Sequence, residues 1–448
     1  MEQLVKNNKK EIGLIFVLLA LLSLIGGLAF GSISALQFIV PGFFDSIPFI
    51  KSRPLHVSLV VAWIFLSAVG GIYYYLPRYC NLPLYSKKLP RIHFWIFLCT
   101  GIVILFCYLM GKFGGREYWE FPPILAVPIV ISWLLFGFNY FKTILKKVGQ
   151  WPVYLWMWGT GIFFFLFTFT ESYLWIFPHF GDHIVRDITV QWKSYGALVG
   201  SWNMLVYGTA IFLMERISGD ESVAKSKLAF FMYFLGFTNL LFGWAHHIYI
   251  VPSAPWIRYF AYLISMTELI ILGKIIWNWK RSISDAKKVF NELSYKFIVA
   301  SDFWIFVNLA LAILISVPAI NIFTHGTHIT VAHAMGSTIG INTMILLASC
   351  FFIITDITKY QYSEIQKKLI IIGFWITNIS LLIFWVSLIF AGAEKGRLVV
   401  ENKLIFQEIM QHISPYLMAF TIAGLGIFSG ILLVTIPAFK ATIYYFKK

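Results

Sequence analysis

The sequence predicts an all-α protein, a polytopic membrane bundle of twelve transmembrane helices. Three observations carry this prediction. Of 448 residues, 59% are hydrophobic and only 12% charged, too apolar for a soluble domain. Apolar runs of about 20 residues, the length a helix needs to cross a bilayer, recur twelve times. Pro, Gly and charge gather in the short gaps between the runs. The gaps leave no room for a separate soluble domain, so residues 1–448 read as one membrane unit.

Taken in order, the first run, 13–35, follows the hydrophilic start MEQLVKNNKKE. It is longer than a signal-peptide core and has no small-residue cleavage site, so it is expected to be retained. The second, 55–78, opens on His56. Runs 93–111 and 122–142 flank the segment GREYWEFP, which contains Glu117. Run 152–178 is rich in aromatics, and run 190–214 contains VQWKSYGALVGSWNMLVYG. Run 226–250 ends in GWAHHIYIV, with His246 and His247 adjacent. Run 256–277 holds Glu268 within SMTELI. Run 299–320 precedes HGTHITVAHAM, which opens run 328–356 and supplies His333 and Met335. Runs 370–392 and 414–437 complete the set.

The formal net charge of +15 does not point to nucleic acid. With the N-terminus on the cytoplasmic side, the inner loops receive about 24 of the Lys and Arg and the outer loops about 9, the bias expected of a bacterial inner-membrane protein. Lys6, Lys9 and Lys10, then Arg78, Lys87, Lys88 and Arg91, then Lys280, Arg281, Lys287 and Lys288 fall on that inner side. Cys80, Cys99, Cys107 and Cys350 have no paired spacing, and no CxxCH appears, so neither a disulfide framework nor covalently attached heme is expected.

Imidazole within a membrane is costly and marks function. The alternating topology puts His56, His246, His247, His333 and Met335 at one depth, near the outer face, although they come from three separate runs. Nitrogen and sulfur ligands at a common depth suggest a heme or metal site inside the bundle. His246 and His247 lie about 100° apart on an α-helix and can reach one ion. His333 and Met335 lie about 200° apart and must face opposite sides, which suits two hemes flanking one helix. His93, His179, His183 and His412 read as interfacial.

The stretches HVSLVVAWIFLSAVGGIYYYLP, GREYWEFP, GWAHHIYIVPSAPW, SMTELI and HGTHITVAHAMG together resemble subunit I of the heme–copper oxidase superfamily. The pattern looks most like the nitric oxide reductase large subunit, with C-type oxidases as neighbours. The resemblance implies two b-type hemes and a non-heme iron or copper. His333 is then the ligand of the high-spin heme, and His56 an axial ligand of the low-spin heme. His246 and His247 are ligands of the non-heme metal. Glu268 resembles an acid kept near that site, and Glu117, with one of Tyr73, Tyr74 or Tyr75, resembles a calcium neighbourhood. His325 and His328 are candidates for heme-propionate or loop contacts.

Two departures stand out. The sixth run has neither the third histidine nor the following glutamate of the resembled proteins. By spacing, the histidine's place falls on Tyr195 or Gly196, and the glutamate's on Val199 or Gly200. Tyr195 is therefore a candidate ligand or catalytic group. The second departure is Met335, where a histidine is usual. Thioether is a heme ligand, so His56 and Met335 are expected to hold the low-spin heme.

The implied activity is respiratory reduction of NO to N₂O. The altered sixth run leaves room for NO dismutation to N₂ and O₂, as in proposed reductase-like dismutases. A C-type-like oxidase and a non-catalytic NO-binding relative are further alternatives. NO is the expected small-molecule substrate, lipid the surroundings, and a cytochrome c subunit or a second copy of the chain the expected partner.

Overall fold

The computed structural model describes residues 11–80, 83–265, 267–401 and 404–447; Lys6, Lys9 and Lys10 lie outside them. Among the described residues twelve helices are long and apolar enough to cross a membrane, and each covers one of the expected runs. The chain is an integral membrane protein. Strand structure among the described residues is limited to one bridge, Arg116 to Trp119. Cys99, Cys107 and Cys350 carry free thiols.

The first six helices are continuous: α1 (Ile12–Ile39), α2 (Phe49–Cys80), α3 (Leu89–Leu109), α4 (Ala126–Ile144), α5 (Val153–Glu171) and α6 (Ile184–Ser218). Helix α7 (Lys227–Phe242) tightens into a 3-10 turn, Gly243–Ile248. Helix α8 is broken into Pro255–Ile264 and Thr267–Ser282. After α9 (Glu292–Ser316), α10 runs as α-helix His328–Met335, π-helix Gly336–Thr343 and α-helix Met344–Thr358. The last two are α11 (Glu364–Glu401) and α12 (Phe406–Lys447). The three irregular helices carry His246 and His247, Ser265, and His333 with Met335. Non-helical backbone at membrane depth is tolerated where it is enclosed by protein, and π segments gather at functional sites.

Small residues set the close contacts. A Cβ on Gly13 would come within 2.7 Å of Gly70 O, so the absence of side chains lets α1 lie against α2. The most apolar window of α6 is 83% buried and that of α10 78%, against 22% for α3, so α6 and α10 form the centre and α3 meets lipid. Large aromatics fill the core and most of their polar tips are satisfied. Trp63 Nε1 donates to Thr343 Oγ1 at 3.0 Å and Trp304 Nε1 to Asn378 Oδ1 at 2.9 Å.

Candidate functional site

The histidine pair sits on the 3-10 turn that ends α7. Gly243 N–H bonds to Asn239 O and starts this turn. With three residues per turn, His246 and His247 are separated by about 120° rather than the 100° expected of an α-helix. Their ring centroids are nevertheless 4.1 Å apart. His246 Nδ1 meets Ser265 Oγ at 3.2 Å, and Ser265 lies at the break in α8. His247 lies flat on Trp192 of α6, with centroids 5.0 Å apart and planes 13° apart. Its Nδ1 is buried and has no protein partner among the described residues.

His333 enters from α10. Asn308 of α9 holds it at two points: Asn308 Nδ2 is 3.3 Å from His333 Nδ1 and donates to His333 O at 3.1 Å. Trp385 Nε1 fixes that amide by donating to Asn308 Oδ1 at 3.2 Å. His246, His247, His325 and His333 line one cavity, closed by α9 through Ala312 and Ser316. His325, expected at a propionate or a loop, thus belongs to the wall. Its ring is 6.0 Å from that of His247 and 5.8 Å from that of Trp192. Burial lowers its pKa below the ordinary imidazole range. Among the described residues no three His, Cys, Asp or Glu side chains stand in a metal-holding group.

His56 and Met335 come to matching depth on parallel helices. Trp63 meets Thr343 seven residues beyond His56 and eight beyond Met335, so each lies about 10 Å before that contact along its helix. His56 Nδ1 is 2.7 Å from Gly27 O, and a Cβ on Gly31 would lie 2.7 Å from the same nitrogen. The glycines of α1 form a cradle that fixes the ring and leaves Nε2 for a ligand. Met335 is partly buried against the core. It lies in the α segment of α10, so its half-turn offset from His333 holds.

Helix α6 presents both positions to which spacing assigned the missing histidine. Tyr195 is buried but packs edge-on against Tyr118, centroids 5.1 Å apart, in the GREYWEFP loop. The neighbour that faces the pair is Gly196, where a Cβ would lie 2.5 Å from Trp244 Cβ and 3.7 Å from His247 Cδ2. One turn on, a Cβ at Gly200 would lie 2.9 Å from Leu240 Cα. Two glycines four apart bring the α6 and α7 backbones together, a small-residue contact in the place of side-chain ligands. Gly196→Ala should therefore lower stability by about 1–3 kcal/mol through overpacking. Thermal unfolding in detergent checks this, and an unchanged midpoint contradicts it.

The calcium neighbourhood does not assemble. Glu117 and Glu120 come together, but Arg53 lies between them, with Nη2 2.6 Å from Glu117 Oε1 and Nη1 2.9 Å from Glu120 Oε1. Burial raises the Glu120 carboxyl, and Arg53 draws it back. Tyr73, Tyr74 and Tyr75 sit about 20 residues along α2, about 30 Å away at its other end, where Tyr74 bonds to Asp356. Calcium prefers six to eight oxygens, and these residues do not fit it. His93 is also not interfacial: it is fully buried, with Nδ1 3.0 Å from Tyr73 Oη. His179, His183 and His412 are exposed, as expected.

The model of the family "Cytochrome C and Quinol oxidase polypeptide I" matches residues 11–426. The chain belongs to this family. Its members are oxidoreductases that bind hemes and a non-heme metal. Among relatives, a nitric oxide reductase subunit from Stutzerimonas stutzeri is 22% identical over 397 residues, covering 84% of this chain and 82% of that protein. The Cbb3-type cytochrome c oxidase subunit CcoN1 of the same organism is 21% identical over 416 residues, covering 86% and 84%. A cryo-EM structure of a heme-copper terminal oxidase dimer superposes with a TM-score of 0.76 at 14% identity, over 98% of this chain and 84% of that one. Within the family frame, heme fits His333, whose Nδ1 side is held by Asn308 and whose ring borders the cavity. It also fits His56 in its glycine cradle. A non-heme metal fits the His247 nitrogen, which has no protein partner among the described residues, beside His246.

Proposed function

We propose that this chain is a nitric oxide reductase-like respiratory heme enzyme. One observation supports it above the others: a buried cavity with His333 on one wall and His246 and His247 on another. When bound, the b-type hemes and the non-heme metal supply the redox chemistry by which two NO, two electrons and two protons become N₂O and water. His333 would hold the high-spin heme, and Asn308 fixes the plane of its ring. His246 and His247 would hold the metal opposite, with Trp192 setting the His247 plane. The enclosed space between them keeps two diatomics close and dry, where proximity lowers the barrier. Glu268, buried on α8 three residues past Ser265, is the acid nearest in the chain to this wall and would supply protons.

His56 and Met335 would hold the low-spin heme through which electrons enter. Met335→His should lower its reduction potential, and Met335→Ala should remove the thioether–iron charge-transfer absorption of the oxidised protein. Magnetic circular dichroism and a redox titration test this, and unchanged spectra in both variants rule out Met335. The histidine end would face outward across a bacterial inner membrane, with the N-terminus inside. A cytochrome c subunit would deliver electrons, or a second copy would complete the assembly.

A second reading, NO dismutation, is favoured by Gly196 and Gly200 on α6. That reaction needs no net electrons, and an altered metal site is compatible with it. Anaerobic NO with and without reductant separates the two readings. Reductant-dependent N₂O supports the reductase, reductant-independent N₂ and O₂ the dismutase, and neither product refutes both.

A further inference from the structure

The end of the bundle away from the histidine pair carries a basic patch without acids. Tyr73 lies 17 residues beyond His56, about 25 Å along α2, and bonds to His93 near the start of α3. The loop before α3 is therefore at that far end. This loop and the start of α3 present Lys87, Lys88 and Arg91; the last turn of α4 and the loop after it present Lys142 and Lys146. All five side chains are exposed. No Asp or Glu occurs from 46 to 116 or from 121 to 170. Among the described residues none of the five cations forms an ion pair. Elsewhere at this end cations are paired: Lys225 with Glu221, Lys288 with Asp285, Lys296 with Glu292 and Lys367 with Glu364. The bias of Lys and Arg to one side of a membrane explains why cations gather at this end. It does not explain why one patch of it excludes acids.

Buried polar groups on α4 assemble the patch. Asn139 Oδ1 accepts from Ser86 N–H at 2.9 Å, and Asn139 Nδ2 donates to Ser86 O at 3.2 Å. Thr143 Oγ1 accepts from Tyr85 N–H at 2.9 Å. Both side chains are fully buried, so these bonds fix the loop across α4. Tyr85 then meets Phe138, with ring centroids 5.5 Å apart. Lys146 Nζ lies 5.6 Å from the Tyr85 centroid, and Lys142 Nζ 5.9 Å from that of Phe138. Ring faces hold both ammonium groups in place and leave their charge uncancelled. Below them, Ile131, Leu134, Phe138 and Phe141 are exposed at spacings of three and four, one apolar stripe along α4. The stripe runs from the lysines into the membrane.

We propose that this patch binds an anionic phospholipid of the surrounding bilayer. Its phosphate sits among Lys87, Lys142 and Lys146, and an acyl chain lies along the α4 stripe past Phe138. Clustered cations at the end of a membrane helix attract anionic headgroups, and the absence of acids leaves that attraction unopposed. A ligand with phosphate and acyl chain joined matches both halves of the surface; a soluble anion matches only one. The site is independent of the NO chemistry proposed above.

Native mass spectrometry of the purified full chain tests this by counting retained lipids. The chain is loaded with phosphatidylglycerol or with phosphatidylcholine of the same acyl chains. Phosphatidylglycerol should be retained more strongly. The double variant Lys142→Gln, Lys146→Gln should lower its retention by roughly fivefold for each cation removed and leave that of phosphatidylcholine unchanged. The double variant Lys225→Gln, Lys288→Gln removes two cations that have acidic partners and should retain both lipids as the parent does. All four lysines are exposed or half-exposed, so both variants should fold. Equal retention of the two lipids overturns the proposal. So does an equal loss in both double variants, which would assign the effect to the charge of the whole end. Displacement of the phospholipid by inorganic phosphate would show that the stripe contributes nothing, and also overturns it.

Discussion

Replacing His333 with alanine is expected to remove one of two hemes and reduce NO turnover to background. His333 would be the protein ligand of its heme. Met335 is two residues on, about 200° around the same helix, and faces away. His246 and His247 belong to the opposite wall, where one ring nitrogen meets Ser265 and one ring is stacked on Trp192. The substitution removes the contact of Asn308 with the ring, but Asn308 on α9 still donates to the backbone carbonyl of residue 333, and Trp385 on α11 still donates to Asn308. The variant should therefore fold and keep the His56 heme. His333→Gly with added imidazole should regain part of the lost heme, since the freed volume matches the ligand. Two hemes per chain in His333→Ala would contradict the assignment.

The second large effect concerns His246 and His247. Changing either to alanine should remove the non-heme metal while both hemes remain. Loss of an outer-shell partner of a metal ligand typically costs 10–100-fold, so losing a ligand itself should lower turnover by at least about a hundredfold. Because both rings would serve one ion and α6 contributes none, the double variant should be little worse than either single one. Metal analysis and single-turnover NO assays check this. Additive losses, or metal retained in the double variant, would show that the pair does not act as a unit.

The twelve spans were legible because length and hydropathy dictate them, and the opposite faces of His333 and Met335 because that stretch is regular α-helix. The irregular backbone was not legible. The 3-10 turn under His246, the break at Ser265 and the π segment after Met335 depend on how neighbouring helices pack, and local propensity does not report that. The same holds for α6. Spacing narrowed the missing histidine's place to two adjacent positions, and the close approach of Gly196 to Trp244 depends on packing that spacing does not report. Pairing Glu117 with Tyr73–Tyr75 failed because it ignored depth: α2 carries the tyrosines to the other end of the bundle. His325 was noticed as a histidine, but its approach to His247 depends on the fold of the 316–328 connection. The buried pairing of Glu215 with Tyr154, 3.1 Å apart, was missed, since an acid near a helix end reads as solvated.

The central claim is that imidazoles from α2, α7 and α10 converge at one end of the bundle to hold iron. Pyridine hemochrome assay of the purified protein tests it most directly. Two b-type hemes per chain are predicted; protein that folds and purifies without heme would contradict the account.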